Sequence, residues 1–447
     1  MLVARCIPPN LVRLALVAVF ALYPAVADAD GGDRDVDTVA DPGEGPSAAA
    51  DASVGGGSAE AEVESFGGGV DAAGASSGGG VLRMQLKKVN RPVRDAELQS
   101  MKLSLVTALG VTSLGAQGLV EAVELKNNDN LGYSGDIELG TPGQTVSVLF
   151  NTGSANLWVA RKAALAPESK HAHFDSSRSS TFVGTKDAFR VEYASGRVKG
   201  FFCHDRVVIG GLVLPKFTFA EASDLSGLDN FEEHDYDGIL GLGFEALAEG
   251  GVPTVMGRLW KSGQLAVPVF AFFLGDRVPG EIVFGGVAPE HYVGDFHFVP
   301  LSSRSFWTVE LDQVGLEGVG VLSSPKHAIV GSGNSLLMGP ADEVKSLVYY
   351  MGAMEIQGLW VIMCDSDVPT LSFRLGGKDF PLERDDLVVA KVDDWCILGI
   401  MADADNTPPQ TWILGGVFMR KYYVQFDWGK ERIGIALAKQ TGKDNFV

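Results

Sequence analysis

Two short segments carry polar groups in matching local patterns. One runs Val148-Leu149-Phe150-Asn151-Thr152-Gly153, the other Ala328-Ile329-Val330-Gly331-Ser332-Gly333. In each, three apolar residues lead into a glycine-containing turn with a hydroxyl residue at its second position. An asparagine amide donates and accepts hydrogen bonds but does not serve as a carboxylate base. A serine or threonine hydroxyl becomes a nucleophile only beside a base that a third group orients, and no such set is recognisable here. Other reactive side chains offer less. Cys203 and His204 are neighbours, and adjacent residues of a strand point to opposite faces, so Cys203 reads as a small buried hydrophobe. His171 and His173 share a strand face, but no further ligand motif follows, and they read as exposed loop residues. The GLGF string and the GG pairs lack a following GKS or GKT and sit between strands, which argues against a phosphate loop. No metal site and no cofactor is expected.

The elements that position these turns are strands. From about residue 121, short apolar or alternating runs (YSGDIELG, TVSVLF, FRVEYASG, RVVIGGLVL, EIVFGG) are separated by glycine-rich turns. Only ALAEGGVPTVMGRLWKSG and ADEVKSLVYYMGA suggest helices, both short. Each turn segment is followed by a second signature: YDGILGLG at 236–243 and WILGGVF at 412–418. Ile239 lies 88 positions after Asn151, and Ile413 lies 82 after Gly331. Two units of similar length imply a duplicated β domain, with one loop from each unit meeting at an extended cleft. Trp158 and Trp412 flank the signatures and read as core anchors, and Tyr422 and Tyr423 fit a strand near the chain end.

The chain has 447 residues and a formal net charge of -20. That length supports more than one hydrophobic core, and that charge disfavours nucleic acid and anionic membranes as partners. Residues 1–29 place Arg5 and Arg13 before an apolar run ending in small residues. They read as a secretory signal peptide, with an uncleaved anchor as the alternative. No later segment offers 18 uninterrupted apolar residues, so no stable membrane span is expected after signal removal. Residues 30–80 are acidic, rich in Gly, Ala and Ser, and expected to be disordered. Residues 81–120 are locally basic, with Arg83, Lys87, Lys88, Arg91 and Arg94, and suit a segment that docks on an acidic body. Of four cysteines, Cys6 leaves with the signal, and the remaining three leave one unpaired within the chain.

Taken together, GDIELGTPGQTVSVLFNTGSANLWVA, FRVEYASG, YDGILGLG, AIVGSGNSLL and WILGGVFMRKYYVQFDWGKERIGIA resemble the pepsin-like aspartic proteases, in the right order over nearly all of residues 121–447. VLRMQLKKV resembles the start of that family's inhibitory prosegment. The resemblance implies an all-β, bilobal fold with short peripheral helices, one lobe over 121–310 and the other over 311–447. It implies a hairpin flap over the cleft, with Tyr193 as the flap tyrosine, and a Cys364–Cys396 disulfide. It implies a place in the secretory pathway: extracellular, vacuolar, or in a secretory-organelle lumen.

Active members of the family use an Asp-Thr-Gly or Asp-Ser-Gly turn in each lobe, whose two aspartates share a proton and activate water. This chain departs at both positions, with Asn151 in the first turn and Gly331 in the second. Asn334 stands where threonine is usual, and the flap Gly-Thr-Gly has become Ala194-Ser195-Gly196, which is expected to make the hairpin less permissive. Gly331 is further expected to hold a backbone conformation that excludes a side chain. Asp136, Asp235, Asp237 and Asp342 are the nearest acids in sequence, and neither turn motif places them. Asp235 and Asp237 fit a structural or surface role. Without the paired acids, Lys87 and Lys88 lose the partners that a prosegment lysine has in the family. The expected function is therefore a secreted homologue without efficient catalysis, which binds a peptide or protein ligand, or its own prosegment, in the interlobe cleft. Tyr193, Thr152, Gly153, Ser332 and Gly333 would line that site, with Thr152 and Ser332 bracing the turns. The alternatives are an endopeptidase acting through displaced carboxylates and a structural protein with a closed cleft.

Overall fold

A computed structural model describes residues 118–440, apart from 229, 324–326 and 404–408. The signal, disordered and prosegment expectations up to residue 117, including Lys87 and Lys88, lie outside the described residues. Most of the described chain is β-strand, with short helices at Val255–Lys261, Ala341–Tyr350, Arg384–Leu387 and Gly416–Lys421. Only the second half of the first helix-like sequence forms α-helix. Its start breaks into single turns at Glu245–Leu247 and Glu249–Gly251, where Gly250 takes φ 70°. Among the described residues, no helix is long and apolar enough to cross a membrane.

The repeat read from sequence appears as a repeated pairing scheme. Strand Gln144–Asn151 lies parallel to Gly238–Gly241, in the register Phe150↔Leu240 and Asn151↔Gly241. Strand Leu157–Ala160 returns antiparallel to that same strand, with Trp158 opposite Ile239. In the other half, His327–Val330 lies parallel to Thr411–Leu414, with Val330 opposite Leu414. Leu337–Pro340 returns antiparallel, with Met338 opposite Ile413. Each turn thus leaves one strand and is pinned at its base by the strand that carries the second signature. The apolar runs before the turns are buried on both faces, which explains why they do not alternate.

An antiparallel platform joins the halves. Tyr422–Asp427 pairs with Val269–Phe273 on one side and Arg432–Ala438 on the other. Phe270 stacks on Phe426 at 4.9 Å, and Trp307 meets them edge-on at 5.5 and 5.0 Å. Rings in these offset and edge arrangements add about 0.5–1.5 kcal/mol per pair beyond the area they bury. Trp158 and Trp412 are both fully buried, as core anchors should be. Cys364 and Cys396 are disulfide-bonded, as the resemblance implied.

Candidate functional site

The two turns interlock through four hydrogen bonds with near two-fold symmetry. The Thr152 amide donates to Ser332 Oγ, and the Ser332 amide donates to Thr152 Oγ1, both at 3.0 Å. In return, Thr152 Oγ1 donates to the Val330 carbonyl at 3.1 Å, and Ser332 Oγ donates to the Phe150 carbonyl at 2.7 Å. Each hydroxyl therefore uses both its donor and its acceptor capacity on the opposite turn.

Asn151 is fully buried at the head of the first turn. Its Oδ1 accepts from the Gly153 amide at 2.8 Å, and its Nδ2 donates to Ser154 Oγ at 3.0 Å. An asparagine satisfies this pair of contacts because it offers an acceptor and a donor on one plane. Gly333 of the other turn faces it closely: a Cβ there would sit 2.3 Å from Asn151 Oδ1. Gly331 donates its amide to Leu414 O at 3.1 Å, and its carbonyl accepts from Asn334 N at 3.3 Å. Gly331 is not among the glycines with positive φ. The expectation of a side-chain-excluding backbone at this position is therefore corrected: these dihedrals lie outside the left-handed region.

Tyr193 ends strand Val183–Tyr193 and pairs with Gly196 across a two-residue tip, Ala194-Ser195. The tip depends on Gly196, which takes φ +126° and whose added Cβ would stand 1.8 Å from the Gly227 carbonyl oxygen. Trp158 Nε1 donates to the Tyr193 hydroxyl at 2.9 Å, and Ser154 hydrogen-bonds to it as well. Burial pushes the Tyr193 hydroxyl well above its ordinary pKa, against the lowering pull of Trp158 and Ser154. Ser154 thus links Asn151 to the hairpin. Its role was not evident from sequence, although it stands next to the NTG turn.

Among the described residues, Ser195 Oγ at the hairpin tip and Asn334 Oδ1 in the second turn are buried without a hydrogen-bond partner. A small cavity of about 30 Å³ borders Ser332 and Gly333, lined also by Leu149, His234, Asp235 and Tyr236. That is room for about one water.

The four acids considered as substitutes fall in different places. Asp136 pairs with Lys126 at 2.6 Å, and Asp235 pairs with Lys170 at 3.0 Å, with both partners of each pair well exposed. Asp342 sits in the first turn of helix Ala341–Tyr350. Asp237 is buried and accepts from the Ser147 and Ala172 amides, both at 2.8 Å. His171 Nδ1 lies 3.3 Å from the same carboxylate, and its Nε2 lies 3.1 Å from the Phe231 carbonyl. The reading of His171 as an exposed loop residue is thus corrected. The ring is buried and stacked on Phe231 at 4.5 Å, because Asp237 supplies the partner that burial demands. Burial works to lower the His171 pKa, but the Asp237 and Phe231 hydrogen bonds and nearby acidic charge outweigh it and raise it overall. His234 is pushed down to about 4, first by burial and then by repulsion from His171.

Cys203 and His204 form no pair. Cys203 is buried, with its thiol pKa pushed far up by burial, while His204 Nδ1 meets Thr218 Oγ1 at 2.9 Å. Among the described residues, no group of three or more His, Cys, Asp or Glu side chains is placed to hold a metal ion.

The model of the family described as eukaryotic aspartyl protease matches residues 132–438. Renin-2 of Mus musculus is 38% identical over 350 residues, covering 72% of this chain and 83% of that protein. Gastricsin of Rattus norvegicus is 35% identical, covering 68% of this chain and 80% of its own length. Pregnancy-associated glycoprotein 2 of Bos taurus is 34% identical, with coverages of 70% and 84%. The paired strand-and-turn units, the hairpin above them and these matches agree, and the chain belongs to the pepsin-like aspartyl protease family.

Proposed function

We propose that this protein is a secreted pepsin-like homologue without a catalytic dyad, which binds an extended peptide or protein segment in the interlobe cleft. The observation that carries this reading is the pair of interlocked turns with no carboxyl at either head position. Acid-assisted hydrolysis needs one group to take a proton from water and another to give one to the amide, both within hydrogen-bond reach. The Asn151 amide supplies neither, and Gly331 has no side chain. Support for binding comes from Ser195 Oγ and Asn334 Oδ1, which lack partners among the described residues. A buried polar atom without a partner costs about 1–3 kcal/mol, and a peptide backbone supplies the missing donor and acceptor. In this reading Tyr193, Thr152, Gly153, Ser332 and Gly333 border the ligand. Membership of the pepsin-like aspartyl protease family supports a secretory-pathway location, and the protein's own prosegment is a candidate occupant.

The alternative is an endopeptidase acting through displaced carboxylates. It draws on Asp235, which lines the small cavity beside Ser332 and Gly333. One experiment separates the two readings: purified protein freed of its prosegment, incubated with a library of extended peptides across pH 3–7. Saturable binding with intact peptides supports the proposal. Pepstatin-sensitive cleavage supports the alternative, and neither binding nor cleavage overturns both.

A further inference from the structure

Away from the paired turns, a cavity of about 290 Å³ is lined by residues from both halves, among them Asn130, Arg277, Arg420 and Lys439. Arg420, on helix Gly416–Lys421, is 7% exposed. Its Nη1 donates to the Asn130 carbonyl at 2.9 Å, and its guanidinium also neighbours the Tyr133 hydroxyl. Among the described residues, no carboxylate lies within ion-pair distance of it, whereas the buried acid Asp427 has its arginine, Arg432, at 2.8 Å. A buried guanidinium held only by neutral oxygens is poorly compensated, because desolvating a charge is costly unless a counter-charge replaces the lost water.

Three acids also line the cavity, and each is turned to another task or to solvent. Asp386 is held by Lys421 at 2.5 Å. Asp276 accepts from Asn130 Nδ2 at 2.7 Å, and Asp385 has a 79% exposed side chain beside Arg384. Arg277 and Lys439 are exposed at the rim. We propose that this cavity binds a carboxylate, with the Arg420 guanidinium as its principal ligand and Arg277 and Lys439 guiding its approach. The planar fork of arginine matches a carboxylate in two parallel hydrogen bonds, and the volume suits a small dicarboxylate or the end of a peptide chain.

The test uses the full protein at pH 7, titrated with sodium succinate by calorimetry and followed by thermal unfolding, against sodium chloride at matched ionic strength. Saturable heat and a rise in melting temperature with succinate, absent with chloride, are expected. R420Q should weaken succinate binding by about tenfold or more. R277Q and K439Q, at exposed positions, should each weaken it by about threefold while folding as the parent does. Acetyl-trialanine with a free carboxylate, compared with its amide, distinguishes the source. Tighter binding of the acid than of succinate assigns the site to a peptide terminus, and the reverse assigns it to a small dicarboxylate. Equal binding of acid and amide, no difference between succinate and chloride, or parent-like affinity in the R277Q/K439Q double variant would each overturn the proposal. That double variant decides the matter even where R420Q does not fold.

Discussion

The two turn units share a pairing scheme but not a chemical endowment. Both have a parallel strand at the base, an antiparallel return and a hydroxyl that reaches across to the other. The first keeps a side chain at its head, and that side chain is woven through Ser154 into the hairpin that carries Tyr193. The second has only a backbone there. The titratable surroundings differ as well. The first unit's second signature is preceded by His234 and Asp235 and contains Asp237, whereas Gln410 and Thr411 precede Trp412 in the other. The hydrogen bonds that hold the halves in register therefore do not depend on a carboxyl at either head position.

Making the halves chemically alike has the largest expected effect. N151D or G331D alone should leave acid-pH peptidase activity at background, because each supplies a single acid. The N151D/G331D pair should raise it by about 100-fold or more, the scale of general acid–base assistance, read by cleavage of a quenched peptide at pH 3–5. Parent-like inactivity in the pair, with the fold intact, would show that the turns no longer present their heads to a common water.

A second perturbation attacks what the halves still share. T152A and S332A should each cost about 2–4 kcal/mol in denaturant unfolding, since each leaves buried groups of the opposite turn unpaired. The double variant should cost clearly less than the sum, because the two hydroxyls belong to one network. Strict additivity would mean that the cross-bonds contribute independently.

Two histidines of the first unit respond to pH in opposite directions. His234 binds its proton less readily when folded, so its contribution is present above its ordinary pKa of 6.5 and is lost as pH falls towards about 4. Each tenfold weakening of proton binding corresponds to about 1.4 kcal/mol, so the loss amounts to about 3 kcal/mol. H234F keeps a ring against Tyr236 and should flatten this acid limb. His171 has the opposite sign. Its raised pKa gives stability that is present below the ordinary value and fades as pH climbs through the folded one. H171N should therefore remove a decline on the neutral side. The smallest effect belongs to D235N, which loses an exposed pair with Lys170 and should shift stability by less than about 0.5 kcal/mol. A marked loss of any residual cleavage in D235N would instead favour the displaced-acid reading.

The duplicated architecture was legible because the apolar run, the turn and the later signature recur at similar spacings, and burial on both faces forces such runs into paired positions. Trp158 and Trp412 were legible as anchors for the same reason. The placement of His171 was not, because its partner Asp237 lies 66 positions away and becomes adjacent only when two loops close. Nor was the lack of a carboxylate beside Arg420 among the described residues, because its carbonyl partner on Asn130 is 290 positions distant in sequence. Side-chain type announces a need for a partner, but only the tertiary fold decides whether one arrives. The conformation of Gly331 was not legible, because glycine permits a left-handed backbone without requiring one.

The central platform has a consequence for biosynthesis. Tyr422–Asp427 inserts between Val269–Phe273 and Arg432–Ala438, so sheet edges made early stay unpaired until the last strands leave the ribosome. Such long-range pairing slows folding and exposes strand edges meanwhile. Cutting the chain between its two halves should therefore yield neither as a stable piece, and the earlier half should depend on a chaperone, or on the later half supplied in trans, to remain in solution.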